Sequence, residues 1–93
     1  MRVLVEFYGI PRQRAGVAEI VIERPSADSS VTLGEILEAL GAELPEFARH
    51  CLKGNRLQNG YIANLGGRQF LSDPSARIHE GENLLILSAD AGG

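Results

Sequence analysis

The chain has 93 residues, 44% apolar and 23% charged, with a formal net charge of −3. That length allows one domain around one core, and the composition is that of a folded chain rather than a disordered one. A single Cys excludes an internal disulfide framework, a cysteine-rich zinc site and a four-thiolate iron–sulfur cluster. The acidic balance argues against nucleic acid as a partner, since phosphate binding relies on clustered Lys and Arg. No run is apolar and long enough to span a bilayer, and the N-terminus lacks a signal-peptide layout. The expectation is a small cytoplasmic domain that holds no metal and touches no membrane. A domain of this size has a radius of gyration of roughly 12–13 Å, which leaves little volume for an enclosed active site. A carrier or binding partner fits better than a free-standing enzyme.

Residues 1–8 are rich in β-branched and aromatic side chains and predict a strand, with Val3, Val5 and Phe7 on one face and Leu4, Glu6 and Tyr8 on the other. Gly9, Pro11 and Gly16 punctuate a loop that carries Arg12 and Arg14. Residues 17–24 alternate again, and the pattern predicts an antiparallel hairpin with the first strand. Residues 25–30 read as a polar connector.

Thr32 and Glu35 then form a capping box, and Val31 and Ile36 have the spacing of a hydrophobic staple. Leu33, Ile36, Leu37 and Leu40 follow the i, i+3, i+4, i+7 rule, so a helix is predicted over 33–40, its leucine face on the sheet and Gly41 as its left-handed stop. A second, shorter helix is predicted over 44–53, with Pro45 in its first turn. Gly54 to Arg56 and Gln58 to Gly60 are turn material. Residues 61–65 predict a strand, Gly66-Gly67 a tight turn and 68–71 a short returning strand. Residues 83–88 are apolar on both faces, as a central strand is. Leu84 and Ile86 are expected in the core, Leu85 and Leu87 on the more open face with Leu4. That order is the outline of a β-grasp fold: α+β, a mixed sheet with one main helix packed across it and the last strand parallel to the first. Residues 1–88 are expected to form this domain and 89–93 a flexible tail.

Few side chains suggest chemistry. His50 and Cys51 are adjacent on the predicted helix and point about 100° apart, so they cannot form a nucleophile–base pair. Cys51 lies one turn from Phe47 and reads as a core residue. His50 and His79 lack the accompanying ligands of a metal site. Gly66-Gly67 precedes no helix and lacks the Lys-Ser/Thr ending of a phosphate loop. Arg12, Arg14 and Arg68 read as solvated loop charges, with a partner-facing patch as the alternative for some of them, and Lys53 is the only lysine.

The chain closes on Gly92-Gly93. Glycines allow close backbone approach, and residues 88–93 extended would reach roughly 20 Å, enough to thread a terminal carboxylate into a channel on another protein. Together with Glu80-Gly81-Glu82 before the last strand and Val31-Thr32-Leu33 at the helix start, this layout resembles the ubiquitin-like sulfur carriers of the MoaD/ThiS family, most of all the MoaD branch. The resemblance implies that a ubiquitin-activator-like enzyme adenylates the Gly93 carboxylate with ATP and that sulfur replaces AMP to give a thiocarboxylate. The sulfur then passes to an acceptor such as the large subunit of molybdopterin synthase, or to cysteine, thiamine or tRNA thiolation. The alternative from another class is a non-covalent ubiquitin-like interaction module. Gly92 and Ala91 would form the thin tail, and Leu87, Leu85 and Leu4 the partner-binding patch at its base. No cofactor is expected on this chain; the ATP site belongs to the activating partner.

Overall fold

The computed structural model describes residues 1–25 and 28–89. A five-stranded mixed sheet is built from β1 (Arg2–Phe7), β2 (Glu19–Glu23), β6 (Tyr61–Leu65), β7 (Gln69–Leu71) and β9 (Asn83–Ser88), in the order β2-β1-β9-β6-β7. β1 pairs antiparallel with β2 and parallel with β9, and β9 pairs antiparallel with β6. Two small ribbons complete the strands: β3 (Ser30–Thr32) with β8 (Arg77–His79), and β4 (Leu52–Lys53) with β5 (Arg56–Leu57). The helices are α1 (Gly9–Ala15), α2 (Leu33–Glu43) and α3 (Pro45–Cys51). This is an α+β, β-grasp architecture, and the strand parallel to the first lies in mid-sheet as its two-sided hydrophobicity requires.

One face of the sheet forms the core. Val3, Val5 and Phe7 of β1, Leu84 and Ile86 of β9, and Ala63 and Leu65 of β6 join Ile36, Leu37 and Leu40 of α2 in a single buried cluster. Phe7 meets Phe47 of α3 edge-on, ring centroids 5.1 Å apart. Cys51 is fully buried in this cluster, and burial pushes its thiol above the ordinary range. α2 begins as its sequence dictates: Glu35 N donates to Thr32 Oγ1, and Thr32 N donates back to Glu35 Oε1, both at 3.1 Å.

Several local expectations are corrected. Residues 9–15 are helix, not loop. Pro11 sits in the first turn, where its missing N–H had no intrahelical acceptor to lose, and Gly16 ends the helix at φ +76°. Gly41 does not stop α2, which continues to Glu43 and ends where Leu44 and Pro45 open α3. The second helix stops at Cys51, because Leu52–Lys53 pairs with Arg56–Leu57. The β6–β7 turn takes in Arg68 beside two glycines at positive φ, so β7 starts at Gln69. Of the connector at 25–30, Ser30 is already strand and residues 26–27 lie outside the described residues.

Candidate interaction surface and the base of the C-terminal segment

β9 organises the site. Its alternation sends Leu84, Ile86 and Ser88 inward, all buried, and leaves Leu85 and Leu87 half-buried on the outer face. The register sets their neighbours. Leu87 lies opposite Ile62, Leu85 lies between Asn64 and Glu6, and Asn64 lies opposite Phe70. Phe70 is the most exposed large apolar side chain among the described residues, at 68%.

Leu4, also half-buried, stands apart from this group. Its partners are Asn83 and the exposed Val21. Between the two apolar clusters the outer face is polar. Tyr8 Oη donates to Glu6 Oε2 (2.6 Å), and Asn83 Nδ2 donates to Glu6 Oε1 (3.4 Å). Glu6 faces Glu19 directly across the strand pair, and the Tyr8 hydroxyl is held above its ordinary range first by its short bond to Glu6, then by desolvation and by the charges of Glu6 and Glu19. The three leucines therefore share one face, with the polar pair Glu6 and Asn83 between Leu4 and the Leu85–Leu87 group. Sequence reading missed Ile62, Val21 and Phe70. The alternation within 61–65 could have flagged Ile62. Phe70 becomes visible only once the turn length sets the register of β7.

At the end of β9, Ala89 N donates to Gly60 O (2.7 Å), which anchors the point from which the C-terminal residues continue. Two clefts flank that point. One, of about 380 Å³, is lined by Ile10, Asn59, Gly60, Tyr61, Ser88 and Ala89. The other, of about 330 Å³, has Leu33 and Leu37 at its floor and Arg56 and Tyr61 in its wall. Ala91, Gly92 and Gly93, the expected tail, lie outside the described residues. Among the described residues no three His, Cys, Asp or Glu side chains converge as metal ligands, and no helix is long and apolar enough to cross a membrane. His50 pairs with Glu46 (3.5 Å) on the surface of α3, away from Cys51 in the core.

No protein-family model matches the chain, and no curated relative matches it by sequence. Solved structures do match. SAMP1 from Haloferax volcanii aligns over 100% of both chains with a TM-score of 0.77 and 17% identity. A Pyrococcus furiosus protein assigned as molybdopterin converting factor subunit 1 aligns over 95% of this chain and 97% of its own, with a TM-score of 0.74 and 18% identity. A chain of the Amycolatopsis orientalis BexX/CysO complex aligns over 98% and 99%, with a TM-score of 0.67 and 23% identity. At these identities the likeness establishes the fold, β-grasp and ubiquitin-like, for the described residues.

Proposed function

We propose that this protein is a ubiquitin-like sulfur carrier of the MoaD/ThiS type, working as the small subunit that brings sulfur to molybdopterin synthesis. The observation that carries the reading is the position of Gly92-Gly93 just beyond a central strand whose outer leucines stay half-exposed. A carrier passed between enzymes requires a reactive terminus continuing in sequence from a body with a surface on which enzymes can dock, and an exposed apolar patch suits docking. The likeness to a protein assigned as a molybdopterin converting factor subunit supports this choice of acceptor.

In the proposed cycle the Gly93 carboxylate attacks the α-phosphorus of ATP on a partner enzyme and pyrophosphate leaves. A sulfur nucleophile then attacks the acyl carbon and AMP departs, leaving a C-terminal thiocarboxylate. The ATP site and the acids and bases belong to the partner. This chain supplies the carboxylate, a backbone thin enough to reach it, and the surface made by Leu87, Leu85 and Leu4.

The test supplies the activating enzyme, ATP and a sulfide source to the wild type, a Gly93→Ala variant and a chain lengthened by one residue, and reads product by intact mass. The wild type gains one sulfur in place of one oxygen. The added residue moves the carboxylate by about 3.5 Å, beyond what a site that positions its reactants tolerates, and stops the reaction. Gly93→Ala is slowed by the methyl group in a channel fitted to bare backbone. Thiocarboxylate formed on the lengthened chain at the wild-type rate overturns the mechanism and leaves the non-covalent module as the better account.

A further inference from the structure

The end of β9 is held from one side. On the β1 flank its pairing stops at Ile86, which lies opposite Phe7 and whose carbonyl accepts from Tyr8 N at 3.0 Å; after Tyr8 the chain turns into α1. On the β6 flank the pairing runs on to Ser88, and the last bond goes from Ala89 N to Gly60 O at 2.7 Å. The Ser88 hydroxyl is buried without a hydrogen-bond partner and adds no further tie. Bonded pairs alternate along an antiparallel ladder, so the next one back from Gly60 and Ala89 is Ile62 with Leu87. Losing the bond to Gly60 would release the backbone of Ser88 and Ala89 together. The fixed point would retreat by two residues, about 7 Å of extended chain.

Gly60 belongs to a turn that is itself braced. Tyr61 N donates to Gln58 O (3.2 Å), and Gln58 N donates to Cys51 O (2.8 Å). The side-chain amide of Gln58 also binds carbonyls: Nε2 donates to Leu52 O at 2.9 Å and to Arg49 O at 3.4 Å. The carbonyls of Arg49 and Cys51 lie at the C-terminal end of α3, where they have no partner within the helix. Gln58 therefore joins the turn to α3, whose Phe47 and Cys51 are fully buried. A continuous path leads from the core through residues 58–60 to Ala89.

We propose that Gln58 is a positioning residue for the chemistry at Gly93. It fixes the turn, the turn presents Gly60 O, and Gly60 O holds Ala89 as the point from which residues 90–93 start. The inference rests on the carrier reading and extends it by naming a residue of the body that governs how the carboxylate is delivered. A misplacement of about 1 Å at a reacting group can cost a hundredfold in rate. Each residue released from the ladder must also be ordered again before reaction, at an entropic cost. Gln58 touches no reacting atom, and docking through Leu85 and Leu87 does not depend on it. Its loss therefore falls on turnover and not on binding of the body.

The experiment compares the full wild-type chain with Gln58→Met, which keeps the length of the side chain and removes its donors, and with Ala89→Pro, which removes the donor of the last bond. Hydrogen exchange followed by NMR reads the backbone amides, and pyrophosphate release with ATP and the activating enzyme of the same host reads the reaction. In Gln58→Met the Ala89 amide should exchange tenfold or more faster, with the Leu85 and Ile86 amides within twofold of wild type. In both variants kcat should fall about tenfold while KM for the carrier changes less than twofold. An Ala89 amide as protected in Gln58→Met as in wild type, or wild-type kcat in either variant, overturns the proposal. Equal acceleration at all three amides makes Gln58 a general support of the fold and overturns it too. So does a loss confined to KM, which would place Gln58 in the docking surface. A wild type that is not adenylated at all counts against the carrier reading itself. An adenylated wild type beside an unimpaired Gln58→Met overturns only the role of Gln58.

Discussion

The two faces of β9 use the same kind of residue for different ends. Leu84 and Ile86 are wholly buried, set beside Val5 and Phe7 of β1 on one flank and Ala63 and Leu65 of β6 on the other, under the leucine face of α2. Leu85 and Leu87 differ from them only in parity, yet both remain half-exposed. No described helix covers the outer face, and its apolar side chains are divided by Glu6 and Asn83. Burial of a central strand is decided by what is laid over each face, not by the strand's own hydrophobicity. Leucines kept on an uncovered face gain little for the fold and are available to a partner.

The largest effect that separates the faces is on stability. Ile86→Ala removes three carbons from a fully enclosed site between two neighbouring strands and should cost about 2–5 kcal/mol. Leu87→Ala, one residue along, should cost about 1 kcal/mol or less. Urea denaturation of both variants decides the matter. Equal losses would show that the outer face is as much core as the inner one.

Next comes recognition. Leu87→Glu places a charge at the base of the C-terminal segment. It should weaken binding to the acceptor or activating enzyme about tenfold or more while shifting stability by under about 1 kcal/mol. Isothermal titration on the folded variant measures the first and denaturation the second. Unfolding would mean the strand's faces are assigned the wrong way round, while unchanged affinity would move the docking surface off the sheet.

How far the sequence showed this arrangement follows the range of each interaction. The Thr32–Glu35 box lies within one helical turn and was legible, and so was the parity of β9, where Leu84 and Ile86 were placed inward and Leu85 and Leu87 outward. β3 and β8 were not seen, because each is three residues long and exists only through pairings such as Val31 with Ile78, far apart in the chain. α1 was misread because Gly9, Pro11 and Gly16 resemble a run of breakers. In the folded chain Pro11 occupies a turn where proline loses nothing and Gly16 is the stop. That error hid Ile10, which lines the cleft beside Ser88 and Ala89. Glu6 as a divider of the leucine patches needed the β1–β9 register, which no local pattern supplies.

The cover over the inner face can also be loosened without touching it. α2 begins with a reciprocal cap, while α1 begins at Tyr8 with no side-chain cap bond. Thr32→Ala leaves the Glu35 N–H without its acceptor and should cost about 1 kcal/mol, read as a lowered urea midpoint with an unchanged slope. Thr32→Ser keeps the oxygen and should recover most of it. No loss in the alanine variant would show that packing alone holds α2 against the sheet.

The smallest effect belongs to the outer face alone. The Tyr8 hydroxyl donates to Glu6 at 2.6 Å, and ionising it would replace that bond with a phenolate set against two carboxylates, Glu6 and Glu19; Arg12 offsets this only in part. The Tyr8 pKa is thus raised above 10.0 in the folded protein. Because the folded value exceeds the unfolded one, the bond's contribution is complete below about pH 10 and is lost as pH rises through the folded value. Following the Tyr8 ring by NMR against pH should show it titrating above 10.0, with the inner-face resonances of Val5 and Ile86 undisturbed over the same range. Glu6→Gln removes the nearer charge and weakens the acceptor, so Tyr8 should return toward its ordinary value. Titration at or below 10.0 in the wild type, or no change in the Glu6→Gln variant, would show that the outer face does not hold this bond in solution. Movement of the inner-face signals together with Tyr8 would show that the two sides of the sheet are not independent.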